Sequence, residues 1–340
     1  MYEQFYKLKG KPFQLSPDPH FFFKSRGHAR VLAYLHYGIQ QGDGFVVVTG
    51  DVGTGKTTLA RILHERLQES RNVRIGQLVM THCNGDDLLR MICEAFGIAQ
   101  EGVSKAALLK ALESFLRAEH AAGHRVLLLL DEVQNLPYDA LEALRMLSNF
   151  QEGGRPLVQS LLLGQAEFRG TLRSPRLEQL RQRVIASCHL APLGSAAETR
   201  DYIEHRLKHV KWNGDPSISD ETFERIHELT GGIPRRINTF CDRLLLFASL
   251  DGLHDIGTEP VEAVADEIAA DLRVPVRPVH GTHGPAEEGD AGDRLARLEQ
   301  RVESLEQAIR WAHDGTAAAL RQLDEGAAFD ERARERANSR

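Results

Sequence analysis

An apolar, β-branched run from Phe45 to Thr49 stops at Gly50 and leads into Asp51-Val52-Gly53-Thr54-Gly55-Lys56-Thr57-Thr58. The pattern G-x-x-x-x-G-K-[ST], from Gly50 to Thr57, constrains the fold more than any other stretch of the chain. Its glycines let the main chain bend until successive N–H groups converge on phosphate oxygens. The helix that begins at Lys56 adds the partial positive charge of its N-terminus. Lys56 is placed to reach the β- and γ-phosphates of a nucleotide, and Thr57 to ligate Mg²⁺. This chemistry needs a buried strand before the loop and a helix after it, and the sequence carries both.

The remaining text alternates in the same way. Val73 to Met80, Val126 to Glu132, Ser160 to Gln165 and Arg183 to Leu190 read as strands. Lys56 to Glu69, Asp86 to Phe96, Lys105 to His120 and Tyr138 to Phe150 read as helices. Strands alternating with helices imply an α/β domain with a parallel sheet covered on both faces. The third strand, VLLLLDE, ends in Asp131 and Glu132. A carboxylate at the end of an apolar strand is costly unless it meets a cation. Asp131 fits a Mg²⁺ ligand acting through water, and Glu132 the base that orients the attacking water. A strand and two helices separate this motif from the first, so another sheet strand is expected between their two strands. The chain has no N-K-x-D guanine-reading motif, which favours ATP over GTP.

The pattern changes after Pro192. Ser195-Ala-Ala-Glu198 is a capping box opening a helix to about Trp212. Asp220 to Thr230, Pro234 to Ser249 and Pro260 to Asp271 read as further helices. The expected division is a nucleotide-binding α/β domain over 1–192 and a small all-helical lid over 193–272. A Pro/Gly/His-rich linker covers 273–292 and a helix 293–325. Leu295, Leu298, Val302, Leu305, Ile309 and Ala312 follow alternating steps of three and four, an a/d seam. A coiled coil is the preferred reading of that helix, and an amphipathic helix packed on its own domain the alternative. Residues 326–340 read as a disordered tail.

Composition narrows the partners. The 42 Lys and Arg against 48 Asp and Glu leave a net charge of −6, which argues against a nucleic-acid coat protein. No apolar run approaches the ~20 residues a membrane-spanning helix requires. The N-terminus lacks the apolar region of a secretory signal. The four cysteines, Cys83, Cys93, Cys188 and Cys241, have no zinc-ligand spacing and read as small buried thiols in a reducing compartment. His205 and His209, an i, i+4 pair without a third ligand, are not read as a metal site. Arg206, Lys208 and Lys211 read as a solvated face.

Several segments carry a resemblance. They are FYKLKGKPFQLSPDPHFFFKSRGHARVLAYLHYGI, GFVVVTGDVGTGKTTL, LLLLDEVQNL, LLLGQAEF, LEQLRQRV and GGIPRRIN. Together they resemble an AAA+ ATPase of the ExeA/GspA general-secretion type, closest to the branch associated with exosortase (PEP-CTERM) and exopolysaccharide loci. The resemblance implies a P-loop AAA+ sheet with a helical lid. It gives Gln165 the sensor-1 role at the γ-phosphate, although many AAA+ proteins have Asn or Thr there. It makes Arg183 the arginine finger offered to a neighbouring subunit's ATP, with Arg181 as the fallback. Arg235 becomes sensor 2, with Arg236 as its possible exchange, and Pro19 to His28 would line the adenine. For Phe21 to Phe23, packing into the core is the competing role.

What the resemblance implies for function is ATP hydrolysis to ADP and phosphate, with Glu132, Lys56, Arg183 and Gln165 as catalytic residues. ATP and Mg²⁺ would be bound by Gly50 to Thr58, Asp131 and Arg235, in a ring or other homo-oligomer. ExeA/GspA proteins typically continue into a transmembrane helix and a periplasmic peptidoglycan-binding region. Here the linker and heptad helix stand instead, so the expectation is a cytoplasmic ATPase. It would reach a membrane export component through the coiled coil, peripheral to the inner membrane, with no span of its own and no nucleic-acid role. Two rivals remain open: a TnsC-type transposition regulator binding duplex DNA, and an ATP-bound coiled-coil scaffold without significant turnover.

Overall fold

Val46, Val48, Leu127, Leu129, Leu161 and Leu163 are buried together in one cluster, and Phe45, Val47, Leu128, Leu130 and Leu162 in another. Successive side chains of a strand point to opposite faces, so these strands are apolar on both sides and form the middle layer of a three-layer arrangement. In the computed structural model, which describes residues 1–272 apart from Pro17, Arg71, His82, Gln100 and Glu101, this middle layer is a five-stranded sheet. Its strands are β1 (Phe45–Gly50), β2 (Val73–Val79), β3 (Arg125–Asp131), β4 (Val158–Gly164) and β5 (Val184–Leu190). They are all parallel, in the order β2-β3-β4-β1-β5. β4 is thus the strand between β1 and β3. The linker, the heptad helix and the tail lie outside the described residues.

Helix α1 (Arg26–Gln41) and helix α2 (Lys56–Gln68) cover one face, supplying Val31, Leu35, Leu59 and Leu63. Helices α3 (Gly85–Ala95), α4 (Lys105–Ala121) and α5 (Tyr138–Leu147) cover the other, supplying Leu88, Ile92, Leu112, Leu116 and Leu144. Each such side chain, fully buried, contributes roughly 1.5–3 kcal/mol relative to exposure. Helix α5 ends before the expected Phe150, because the Ser148 hydroxyl donates to the Arg145 carbonyl and the chain turns into a short antiparallel ladder, Gln151–Glu152 with Arg155–Pro156.

The lid comprises α6 (Ala196–His209), α7 (Asp220–Thr230), α8 (Pro234–Leu250) and α9 (Thr258–Leu272). Ser195 caps α6 by accepting from the Glu198 N–H, as the capping box requires. The helix ends short of Trp212, with Lys211 in the left-handed region at φ 66°. The opening of the chain departs from the expected division at residue 192. Tyr2, Tyr6, Leu8 and Phe13 are buried among Tyr202, Leu207, Phe240 and Leu244 of the lid. The Tyr2 hydroxyl donates to Asp242 and the Tyr6 hydroxyl to the Leu253 carbonyl. The first residues therefore complete the lid core. They then run back to the sheet as an arm that ends at the N-cap of α1, Ser25.

Among the described residues no helix is long and apolar enough to cross a membrane. No cluster of three or more His, Cys, Asp or Glu there could hold a metal ion. Cys93 and Cys241 are buried, and Cys83 and Cys188 half-buried, all as free thiols.

Candidate nucleotide site

Parallel strands place their C-terminal ends on one edge of the sheet. Thr49 aligns with Gly164, Leu130 with Leu162, and Gly50 with Leu190. The loop after β1, the Asp131-Glu132 pair after β3 and Gln165 after β4 therefore meet at that edge. A cavity of about 280 Å³ lies against it, walled by Val52 to Thr58, Glu132 and Gln165. The arm contributes Gln14, Phe21, Phe22, Phe23 and His28 to the wall, and the lid Tyr202, Arg206, Pro234, Arg235 and Asn238.

The loop's geometry belongs to glycine. Gly53 and Gly55 have φ of 86° and 103°, where side chains are strained. A Cβ on Gly53 would stand 2.6 Å from the Cβ of Arg235, and one on Gly55 3.0 Å from His28 Nε2. Lys56 is 5% exposed. Its Nζ donates to the Gly50 carbonyl at 2.7 Å and the Asp51 carbonyl at 2.9 Å. Burial pushes this ammonium below the usual lysine range, and the Glu132 and Asp131 carboxylates oppose that shift. A buried ammonium bonded to carbonyls, beside a cradle of inward-turned main chain, fits a polyphosphate.

Asp131, 1% exposed, accepts from the Thr57 hydroxyl at 2.8 Å and from the Glu132 N–H at 2.9 Å. Burial pushes its carboxyl up, and those two hydrogen bonds pull it back. Thr57 and Asp131 are thus adjacent, as a residue pair holding Mg²⁺ directly and through water would be. Gly50, Asp51 and Asp131 do not line the cavity. Glu132 is on the wall and adopts a left-handed φ of 58°. For a residue with a Cβ this conformation costs about 1–3 kcal/mol, a strain that collects at functional positions. Gln165 Nε2 donates to Glu132 Oε2 at 3.3 Å.

The other expected residues divide. The Arg235 N–H donates to the Gly53 carbonyl at 3.1 Å, so the start of α8 rests directly on the phosphate loop. Arg235 lines the cavity and Arg236 does not. Arg183 immediately precedes β5, at the opposite edge of the sheet. Its carbonyl accepts from Phe45 N–H, and β1 spans roughly 17 Å from there to Gly50. Its guanidinium donates to the Ser148 carbonyl and hydroxyl at 2.9 and 3.1 Å. With Asp43, Arg145 and Gln182 it lines an open polar depression. Arg183 thus serves no role at its own chain's phosphate loop. Arg181 donates to the Leu172 and Arg173 carbonyls.

Phe21 and Phe23 pack on the lid core and Phe22 on the sheet core, as the competing role expected, and all three also line the cavity.

One expectation is corrected: Arg206 is not on a solvated face but 6% exposed. It donates to the Pro12 carbonyl at 2.6 Å and to Tyr202 Oη at 3.2 Å, and lies 4.8 Å from the Phe21 ring centroid. The Arg206 stem is apolar and its fork finds carbonyls of the arm, which a helical charge pattern does not reveal. The role of His28 at the loop was also hidden. It is 5% exposed, its Nδ1 lies 2.7 Å from Ser25 Oγ, and burial pushes its imidazole down to about 4. The S-x-x-H spacing of a helix N-cap was the available signal.

Sheet order, phosphate loop and helical lid together define a P-loop AAA fold. Residues 39–172 match the AAA domain family. The chain is 39% identical over 273 residues to General secretion pathway protein A of Aeromonas hydrophila, covering 79% of this chain and 49% of that protein. It thus spans about half the length of the curated relative it matches. Among solved structures, Cdc6p of Pyrobaculum aerophilum superposes with a TM-score of 0.60 at 19% identity, covering 75% of this chain and 70% of that one. The Aeropyrum pernix ORC1 protein, solved in complex with DNA, gives 0.55 at 18% identity, covering 77% and 70%. At these identities the likeness is one of fold.

Proposed function

We propose that this chain hydrolyses ATP and uses the cycle to drive or switch an envelope secretion system. The observation that carries the reading is the meeting of Lys56, Thr57, Asp131, Glu132 and Gln165 at one sheet edge, beneath a lid helix seated on the phosphate loop. The substrate's phosphates would lie along the main chain of Gly53 to Thr57. Lys56 turns from the Gly50 and Asp51 carbonyls to the β- and γ-phosphates. Mg²⁺, held by Thr57 and through water by Asp131, neutralises phosphate charge when bound. Glu132 accepts a hydrogen bond from the attacking water and aims its oxygen at the γ-phosphorus, and the bond to the β-phosphate oxygen breaks to give ADP and phosphate. Gln165 orients that water or the γ-phosphate, and Arg235 reports nucleotide state to the lid. The arm's aromatics close around the adenine.

Arg183 completes the site of a neighbouring copy. Its place at the far edge of the sheet, beside an open depression, supports action between subunits and thus a homo-oligomer. The secretion context is supported by the identity to General secretion pathway protein A. The finer reading, an exosortase- or exopolysaccharide-associated export system, rests on the opening segment's resemblance. A cytoplasmic protein held at the inner membrane by a partner is read from the heptad pattern of residues 293–325.

The test is ATP turnover per subunit across a dilution series, with and without duplex DNA. Turnover that climbs with concentration and ignores DNA supports the reading. Strong stimulation by DNA moves the protein to a transposition-regulator type of function, in keeping with a fold neighbour solved on DNA. Negligible turnover in both arms at every concentration turns the reading toward a nucleotide-bound scaffold.

A further inference from the structure

Behind Glu132 and Gln165 stands a third side chain that does not touch the cavity. Gln134 follows β3 in a single 3-10 turn, Val133–Asn135. Its Nε2 donates to Glu132 Oε2 at 2.5 Å, and its Oε1 accepts the main-chain N–H of Gln165 at 2.9 Å. One amide therefore joins the ends of β3 and β4. Gln165 Nε2 returns to the same Glu132 Oε2, closing a three-residue ring. Neither amide is bonded to Oε1. A residue larger than glycine at the end of β4 would disturb this approach: a Cβ on Gly164 would stand 2.8 Å from Val133 Cγ2 and 3.2 Å from Gln134 Oε1. The next residue does a different task. Asn135 Nδ2 donates to the Met80 carbonyl at 3.0 Å, tying the turn to the chain after β2.

We infer that Gln134 is a positioning residue for hydrolysis, holding the Glu132 carboxylate by one oxygen and the Gln165 main chain by its own. The inference rests on the hydrolase reading above. A carboxylate on a strained main-chain position, with a flexible side chain, has many orientations that miss an in-line water. Two amide donors on Oε2 remove most of them and leave Oε1 for the water. Because the Gln134 carbonyl oxygen also fixes where Gln165 begins, the base and the γ-phosphate contact keep one spacing. An amide suits this task because it donates at one end and accepts at the other. A carboxylate at 134 would keep the acceptor for Gln165 N–H and set a second negative charge beside Glu132.

The experiment compares steady-state ATP hydrolysis by the full chain and by Gln134→Ala, Gln134→Glu, Gln165→Ala, the double Gln134→Ala/Gln165→Ala and Asn135→Ala. Displacement of a base by about 1 Å costs up to about 10²-fold. Gln134→Ala is expected to lower kcat by about 10- to 10²-fold with KM for ATP within about twofold, and Gln134→Glu to lower it further. The double variant should fall by less than the product of the two single losses, because both amides serve one oxygen. Asn135→Ala should lower the melting temperature while keeping kcat. Wild-type turnover matched by Gln134→Ala overturns the assignment. So does a kcat loss reproduced by Asn135→Ala, or full additivity in the double. Absence of turnover in the wild-type chain at every concentration overturns instead the hydrolase reading on which the assignment stands.

Discussion

The two walls of the cavity are made in opposite ways. The sheet wall is local: Gly50 to Thr58 is one run of chain, and Asp131, Glu132 and Gln165 each end a strand of the same parallel sheet. The lid wall is assembled from far apart. Arg206 donates to Pro12 across 194 residues, and Asn238 to Gln14 across 224. The first wall is bound to follow once the strands pair in order. The second exists only when the arm, α6 and α8 have all docked. Chemistry at the phosphate end therefore stands on the more robust half, and nucleotide affinity and lid position depend on the more conditional one.

The largest effect should come from the edge of the sheet remote from both walls. Arg183→Ala is expected to lower turnover by about 10³–10⁵-fold, the range for arginine fingers, while ATP binding stays nearly intact. Glu132→Gln should lower it by about 10²–10⁴-fold, as loss of a general base does. With Arg183 acting between subunits as proposed above, an equal mixture of the two inactive proteins should recover activity. A mixture as inactive as its parts would return Arg183 to a structural bond with Ser148.

On the lid wall, Arg206→Met keeps the apolar stem and removes the fork. The Pro12 carbonyl then loses its donor while Gln14 keeps the one from Asn238, costing about 1–3 kcal/mol. Chemical denaturation should show that loss together with weaker ATP binding. Unchanged values for both would mean that the arm is held by its aromatics alone.

An effect confined to acid pH concerns His28, which links the walls. Its folded-state value is about 4, against about 6.5 for an exposed imidazole. Between these values the unfolded chain binds the proton and the folded chain does not, so stability falls as pH drops from about 6.5 to about 4. The loss from this group is up to about 3 kcal/mol. His28→Asn should flatten the pH dependence of unfolding in that window by a corresponding amount, and parallel curves for the two proteins would refute the buried neutral imidazole.

The same contrast explains what could be read beforehand. Gly50 to Thr58 was legible because phosphate binding is written in consecutive residues. Asp131 and Glu132 were legible because carboxylates stand out at the end of VLLLL. Gln165 was placed through family resemblance and its position after an apolar strand. A strand between β1 and β3 was legible from the connection between their motifs, and Arg183 at the far edge follows from its place before a parallel strand. The full strand order was not legible. The arm was not legible. Its aromatics and prolines have no period, and their partners lie some 200 residues away in helices whose apolar positions already look complete. Arg206 misled for a related reason, since a charged residue among lysines on a helix reads as surface until the carbonyls that surround it are known. Gln134 was invisible because its two partners become neighbours only when β3 and β4 lie side by side.

The placement of Tyr2 and Tyr6 inside the lid has a consequence for biosynthesis. Tyr2 meets Asp242 only after 240 further residues, which at translation rates of about 5–20 residues per second takes roughly 12–48 s. During that interval Tyr2, Tyr6 and Phe13 lack the lid partners that bury them, while the strands of the sheet are already made. Residues 2–13 are thus made well before the lid helices that bury them. Burial of these aromatics therefore waits on, and marks, completion of the lid.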